Sequence, residues 1–582
     1  MAESKMDWRP QHDDLRDATM NESHQEQLRG LLQRFLQTRG PVTIAEILQR
    51  YSLSRDQIES LLIELANSGT VYRGKLTADA IEEQWCDRRN FEQLYRRAIQ
   101  ERRRAFAPQP VENFLRFLWR WHGLGQLQSP AQLVPLLQRL RGLFLPLNFL
   151  AREILRARCA PENFTAAFSS CHLQLAALCQ QGDWLWRLYQ EDTGHARLAQ
   201  FFARGEGHLF YTRKQLEQQS AALSVSARAV YEFLKENGAS FFRDLAAGVN
   251  LPKPPLLEAL AELAWRGLAT NDSVQVFHEL AEHGVPRPVE PVEASDSTFH
   301  PGTENLQSFL ETSLPEWRQR DQNWRRRQYS RRREEYRREL KALPQLSEGR
   351  WALVESFAIF GKPTSPQNAT GPALAQQQAR LLLERYGILV KEWYRRETGL
   401  LPWYAIFQAL KQMEWRGEVR RGYFVEGLSG VQFALPHALA MFTAPQSTPA
   451  SSALMMLNVL DPAAPFGGGV NLTLRDSTGN ILNPVRQASN HLFFIDAQPI
   501  IYAENYGLRL RSLAGATDES LASALACLRQ FLQLPDPLRP RKRIEVETWN
   551  EAPVVNTPAA AWLQQHGFER EQEKLVLWPS RL

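Results

Sequence analysis

Residues 375–436 read AQQQARLLLERYGILVKEWYRRETGLLPWYAIFQALKQMEWRGEVRRGYFVEGLSGVQFALP. Leu381, Leu382, Leu383, Tyr386 and Ile388 mark an apolar helix face that is interrupted at Gly387. Trp403, Ile406, Phe407, Leu410 and Met413 then recur at helical spacing up to Arg416, where Gly417 ends the pattern as a left-handed cap does. Residues 418–425 read as a short β-rich hairpin with Arg420, Arg421 and Gly422 at its tip. Helix, helix and two-stranded wing is the winged-helix plan. Its second helix suits the major groove and a basic wing suits phosphates, so Lys411, Arg416, Arg420 and Arg421 are the candidate DNA contacts here.

The phrases LLLERYG and MEWRGEVRRGYFVEGLSGVQFALP resemble the C-terminal region of the large helicase-related (Lhr) family, with Gly427, Gly430, Gln432, Phe433, Ala434 and Pro436 at the family's spacing. The run WCDRR is similar to a second family signature through Trp85, Cys86, Asp87, Arg88 and Arg89. Within it, Asp87 is expected to pair with an arginine as an internal brace. The resemblance implies a DNA-binding, repair-associated module that is cytoplasmic and nucleoid-associated.

At 582 residues the chain needs several cores, and 43% hydrophobic with 10% aromatic content excludes a mainly disordered protein. A net charge of +5 permits a polyanionic partner without requiring one. No apolar run is long enough to span a membrane, and the polar start MAESKMDWRPQHDD does not read as a signal peptide. Five cysteines without a C-x-x-C pair point to reduced thiols. Cys171, His172 and Cys179 lie on an apolar helical stretch and read as core residues in preference to metal ligands. Neither metal nor cofactor is implied.

The expected fold is α+β, mainly α: tandem winged-helix domains, a β-barrel-like domain and a C-terminal α+β cap. Residues 1–24 read as a flexible leader, and 25–108 as a winged helix with the WCDRR helix. In 25–108, Thr43 and Glu46 have capping-box spacing. Residues 109–218 form a helical or winged-helix unit, 219–284 a winged helix, and 285–345 a linker with an arginine-rich helix. Residues 346–444 form the opening winged helix, 445–516 the barrel-like domain and 517–582 the cap. In the linker, Arg325, Arg326, Arg327, Arg332 and Arg333 alternate with Trp317, Trp324, Tyr329 and Tyr336. Such a helix is either solvated, balanced by Glu334, Glu335 and Glu339, or a phosphate and base contact.

No G-x-x-x-x-G-K-[ST] motif occurs, so an ATPase of the P-loop kind must come from a separate helicase subunit or from sequence outside this chain. The family's C-terminal region is also similar in architecture to tandem winged-helix DNA glycosylases of the AlkZ/YcaQ type, which flip a base and position water against the sugar. Where Lhr proteins show Gln-Leu-Gln-Gly and a following Trp-Glu pair, this chain has Arg139-Leu140-Arg141-Gly142 and Leu150-Ala151. A guanidinium is a pure donor and cannot act as a general base. Arg139, Arg141, Glu153 and Asp461 remain the catalytic candidates, with surface or capping roles as the plainer alternative for the two carboxylates. Three functions stay open: a module gripping duplex or branched DNA (or RNA), a glycosylase for uracil or alkylated bases, and a scaffold for a helicase subunit. Homo-oligomers are compatible with each.

Overall fold

The computed structural model describes residues 13–77, 80–104, 106–159, 164–190, 197–283, 345–361, 371–444, 454–468, 470 and 472–581. The chain divides into two compact units, residues 1–107 and 108–582. The arginines at 325, 326, 327, 332 and 333 lie outside the described residues.

In the first unit, helices Asp13–Gln37, Ile44–Arg50 and Arg55–Asn67 pack around Leu32, Leu36, Ile47, Ile58, Leu62 and Trp85. The first of these helices starts inside the stretch read as a leader. Thr43 begins the next one: its hydroxyl accepts from the Glu46 amide at 3.3 Å, while its own amide donates to the Glu46 carboxylate at 2.7 Å. Ser54 and Gln57 repeat the device one helix later. Strands Val42–Thr43, Val71–Gly74 and Gln84–Asp87 form an antiparallel sheet with the third strand in the middle.

That sheet order recurs four times in the larger unit, the last time near its end, where Lys574–Leu577 lies between Ile544–Val546 and Glu569–Glu571. Arg197–Ala203 lies between Phe144–Pro146 and Trp184–Gln190, and Gln432–Ala434 between Ile388–Leu389 and Arg420–Gly422. In another case Arg350–Leu353 pairs with both Ser240–Phe241 and Ala269–Asn271. A boundary at residue 345 therefore falls inside a folded unit, because the strand that completes the sheet follows the linker. The two flanks of residues 284–344 meet at one carboxylate: Gln345 donates its amide to Glu279 at 3.1 Å, and His283 lies 3.7 Å from the same oxygen.

Beyond residue 453 six strands make an open sheet beside a two-stranded and a three-stranded one, and among the described residues no barrel closes. From one edge to the other the strands run Leu454–Asn458, His491–Ile495, Gln498–Glu504, Arg509–Ser512, Thr548–Trp549 and Ala552–Pro553. The expectation of a barrel is corrected on this point. The edge strands Leu454–Asn458 and Ala552–Pro553 do not pair, and helices pack on the sheet, where Leu521, Ala524, Leu525 and Phe531 share a core with Met456, Phe493, Ile501 and Leu510. The last two strands come from the segment read as a separate cap, so both regions build one core.

Because the ends of residues 284–344 converge on Glu279, replacing that segment by a short Gly-Ser linker is expected to leave the thermal midpoint within a few degrees of the intact chain. A large loss in calorimetric midpoint would show that the sheet needs the replaced residues.

Candidate nucleic-acid interface

The fourth three-stranded unit is assembled from helices Pro372–Tyr386, Lys391–Tyr394 and Trp403–Trp415. Ile406, Leu410 and Met413 are fully buried on the inner face of the last helix. Its outer face carries Tyr404 and Trp415, 74% and 46% exposed, with Lys411 half-buried and Gln412 exposed between them. Gly417, at φ 77°, turns the chain out of the helix into the strand. Arg416 reaches Glu418 at 3.3 Å and Gln376 at 3.4 Å.

Arg420 and Arg421 stand in the strand itself, opposite Ala434 and Phe433, and not at a hairpin tip. Successive strand residues face opposite sides, and the two arginines part accordingly. The Arg421 guanidinium sits over Phe407 and Phe433, 5.8 and 5.9 Å from the ring centres, with Glu414 at 3.9 Å. The Arg420 side chain is half-buried and makes no hydrogen bond or ion pair among the described residues.

The far end of the hairpin is closed by a side chain. Gln432 is fully buried; its carbonyl oxygen accepts the amides of Phe424 and Val425 at 2.8 and 2.9 Å, and its Nε2 donates to the Val425 carbonyl at 3.0 Å. Gln109 bonds to the same loop from outside, donating to Phe424 O and accepting from Glu426 N. Gly427 and Gly430, both at φ 76°, make the turns. Phe433 is buried edge-on to Phe407, and Pro436 opens the helix Pro436–Thr443.

In the first unit Trp85 is buried, and Asp87 accepts the backbone amides of Arg89 and Asn90 at 2.9 and 3.3 Å. Asp87 therefore caps the helix Arg88–Arg104, and no pairing with an arginine side chain occurs among the described residues. Arg88 pairs instead with Glu92, and Arg89 is exposed.

The catalytic candidates occupy the interior of the larger unit. Glu153 lies in the widened turn Leu150–Leu155, 1% exposed, with its Oε2 at 2.9 Å from His491 and 3.1 Å from Arg156. Burial works against its charge, yet His491 and Arg156 hold its pKa down at about 2. Asp461 is fully buried under a two-pronged grip from Arg158, and its Oδ1 also accepts the Ala463 amide at 2.8 Å. Arg139 holds the Trp121 carbonyl and lies 4.8 Å over the Trp121 ring. Arg141 pairs with Glu206 at 3.3 Å and Glu384 at 3.0 Å.

Arg385 ties these last two to the fourth unit, donating to the Arg139 and Arg141 carbonyls while pairing with Glu397. Arg396 and Arg486 hold the carbonyls of the 460–467 turn from two sides. Neither Glu153 nor Asp461 reaches an open cleft. Arg156, Arg158, Arg385 and His491 were not read from the sequence as functional; their only signal was charge inside apolar runs such as LAREILRARC.

Cys171 and Cys179 are core residues, and burial pushes the Cys179 thiol up to about 12. His172 stacks on Phe168 and His278. Among the described residues no helix is long and apolar enough to cross a membrane.

Residues 368–454 match the winged-helix domain of the large helicase-related protein. The chain is similar to a protein of Mycolicibacterium smegmatis (strain ATCC 700084 / mc(2)155) named Lhr helicase/ probable uracil glycosylase, 26% identical over 522 residues that cover 87% of this chain and 31% of that protein. It is also similar to the Lhr helicase/uracil glycosylase of Escherichia coli (strain K12), 24% identical over 577 residues, covering 94% of this chain and 33% of that one. The chain thus spans about a third of the length of the curated relatives it matches.

Removing one partner of a buried ion pair leaves an uncompensated charge, so Arg158→Met or Asp461→Asn is expected to cost about 3–5 kcal/mol in denaturant titrations. A loss below about 1 kcal/mol would contradict a structural role. The folded-state pKa of Glu153 lies below its ordinary value of 4.5, so its contribution is present above that pH and is lost as pH falls toward about 2. In Glu153→Gln the stability curve is expected to be flatter across that window, as read by melting temperature against pH.

Proposed function

We propose that this chain, taken as a C-terminal region of the large helicase-related family on the support of the matched domain and both relatives, is a nucleic-acid-gripping module of tandem winged helices. Its principal duplex contact is the outer face of Trp403–Trp415. The charge on the four equivalent helices carries this reading. Arg55–Asn67 has one arginine against Asp56, Glu59 and Glu64, and Phe164–Gln181 carries no Lys, Arg, Asp or Glu. Lys253–Trp265 is buried along most of its length. In Trp403–Trp415 the single carboxylate, Glu414, is buried, while Lys411 faces outward and Arg416 and Arg420 follow.

A helix with aromatic and amide side chains on its face and cations at its end can lie in a groove and pair with flanking phosphates. The wing contributes through its strand, since its loop is closed onto Gln109. Arg421 supports the fold through its aromatic neighbours, so Lys411, Arg416 and Arg420 are the cations assigned to phosphate. Contacts of this kind bind DNA with little sequence selectivity.

Both relatives have uracil glycosylase in their names. Where the family resemblance places the glutamines, this chain has Arg139, which holds the Trp121 carbonyl, and Arg141, which pairs with Glu206 and Glu384. Binding is therefore favoured over excision as the role of the chain itself. No P-loop motif occurs in the sequence, so no motor is assigned to this chain.

Duplex binding followed by fluorescence anisotropy is expected to weaken steeply with salt. Lys411→Glu with Arg420→Glu should lower affinity at low salt by tenfold or more and shrink the salt slope by about one unit for each phosphate no longer neutralised. Unchanged affinity in this double variant would remove the assigned face. Release of free base from a uracil-containing duplex would restore the excision reading.

A further inference from the structure

The first unit carries a feature that the duplex contact does not use. Its helix Arg88–Arg104 continues directly from the last strand of the sheet and bears Phe91 and Tyr95 one turn apart, stacked at 5.6 Å with their planes 16° from parallel. Tyr72, on the neighbouring strand Val71–Gly74, extends the row, with its ring centre 5.0 Å from that of Phe91. Tyr72 is 40% exposed, and Phe91 and Tyr95 are half-buried.

Arg88, Glu92 and Arg96 form a second row on the helix, adjacent to the aromatic one at i, i+3 spacing. Arg88, Arg89, Arg96 and Arg97 are all exposed, against Glu92 and Glu101. The third helix of this unit, which would enter a groove in a duplex reader, is acidic. Positive charge and flat apolar surface thus coincide on the other helix. Alternating guanidinium groups and ring faces match a strand whose bases are unpaired, because each base offers a π-face and each step a phosphate.

We infer that Tyr72, Phe91 and Tyr95 form a stacking site for the bases of a single-stranded nucleic acid, with Arg88, Arg89 and Arg96 on its phosphates. The site shares no residue with the duplex contact on Trp403–Trp415.

The test uses the full chain and fluorescence anisotropy with labelled oligothymidylate, an oligouridylate of equal length to compare DNA with RNA strands, and a duplex. Tyr72→Leu with Tyr95→Leu is expected to weaken single-strand binding by about tenfold or more while duplex affinity and melting temperature hold. Tyr72→Phe with Tyr95→Phe, which keeps both rings, is expected to bind as the unaltered chain does. Should the leucine pair fold poorly, Arg88→Gln with Arg96→Gln on the exposed row is expected to lower the salt dependence of single-strand binding. Repeating the series in the Lys411→Glu/Arg420→Glu background keeps the two sites separable, so failure of the duplex contact leaves this result readable. The proposal is overturned by any of three results: no single-strand binding at low salt, full binding in a folded leucine pair, or equal loss in the phenylalanine pair.

Discussion

Arg158 and Asp461 are buried together, each 1% exposed or less, and much of the larger unit depends on that pair. A charge taken out of water is tolerated only where a partner and further hydrogen bonds satisfy it. Such a requirement fixes position more narrowly than apolar contact does. Arg158 comes from the helical turn of the second three-stranded unit and Asp461 from the turn after the first strand of the large sheet. Two residues away, Arg156 makes the same crossing through the Met456 carbonyl and the Gln530 side chain. On the other side, Arg385 and Arg396 bind the fourth unit to the carbonyls of residues 139, 141 and 464–467. His122, enclosed among Arg158, Arg139 and Arg385, stays uncharged through burial and their positive charge.

Guanidinium groups suit this work because each presents several donors in a fixed plane and keeps its charge. Apolar packing alone would let neighbouring helical units slide by a fraction of a turn; donors aimed at individual carbonyls do not. Arg139 and Arg141, where the family resemblance implies a water-positioning pair, belong to this framework. Their carbonyls hold Arg385 while their side chains hold Trp121, Glu206 and Glu384. Changing these positions to acceptors would alter both the chemistry and the joint.

The helices were legible in the sequence because Leu and Ile at 3.6-residue spacing bury one face whatever the tertiary context, as with Ile406, Leu410 and Met413. Caps were legible too: the Thr43–Glu46 pair acts between residues three apart. What escaped was non-local. Arg350–Leu353 closes a sheet begun more than a hundred residues earlier, and nothing in its own composition names that partner. Alternating strands look alike in a barrel and in an open sheet, so only whether the edge strands pair distinguishes the two. Gln432 supplies hydrogen bonds to a loop in place of backbone, and Asp87 serves as a cap, roles that a polar letter alone does not separate from binding. The buried arginines were the largest omission, since charge in a sequence reads as surface until its partner is located.

We assign duplex contact to the outer face of Trp403–Trp415, where Tyr404 and Trp415 meet solvent. Hydroxyl-radical footprinting of the full chain, with and without saturating duplex DNA, addresses that face directly because Tyr404 and Trp415 are both exposed and reactive. The expected result is a fall in oxidation at both side chains while Trp578, exposed near the C-terminal end of the chain, keeps its rate. Unchanged oxidation of Tyr404 and Trp415 with duplex bound would contradict the assignment of this helix as the gripping surface.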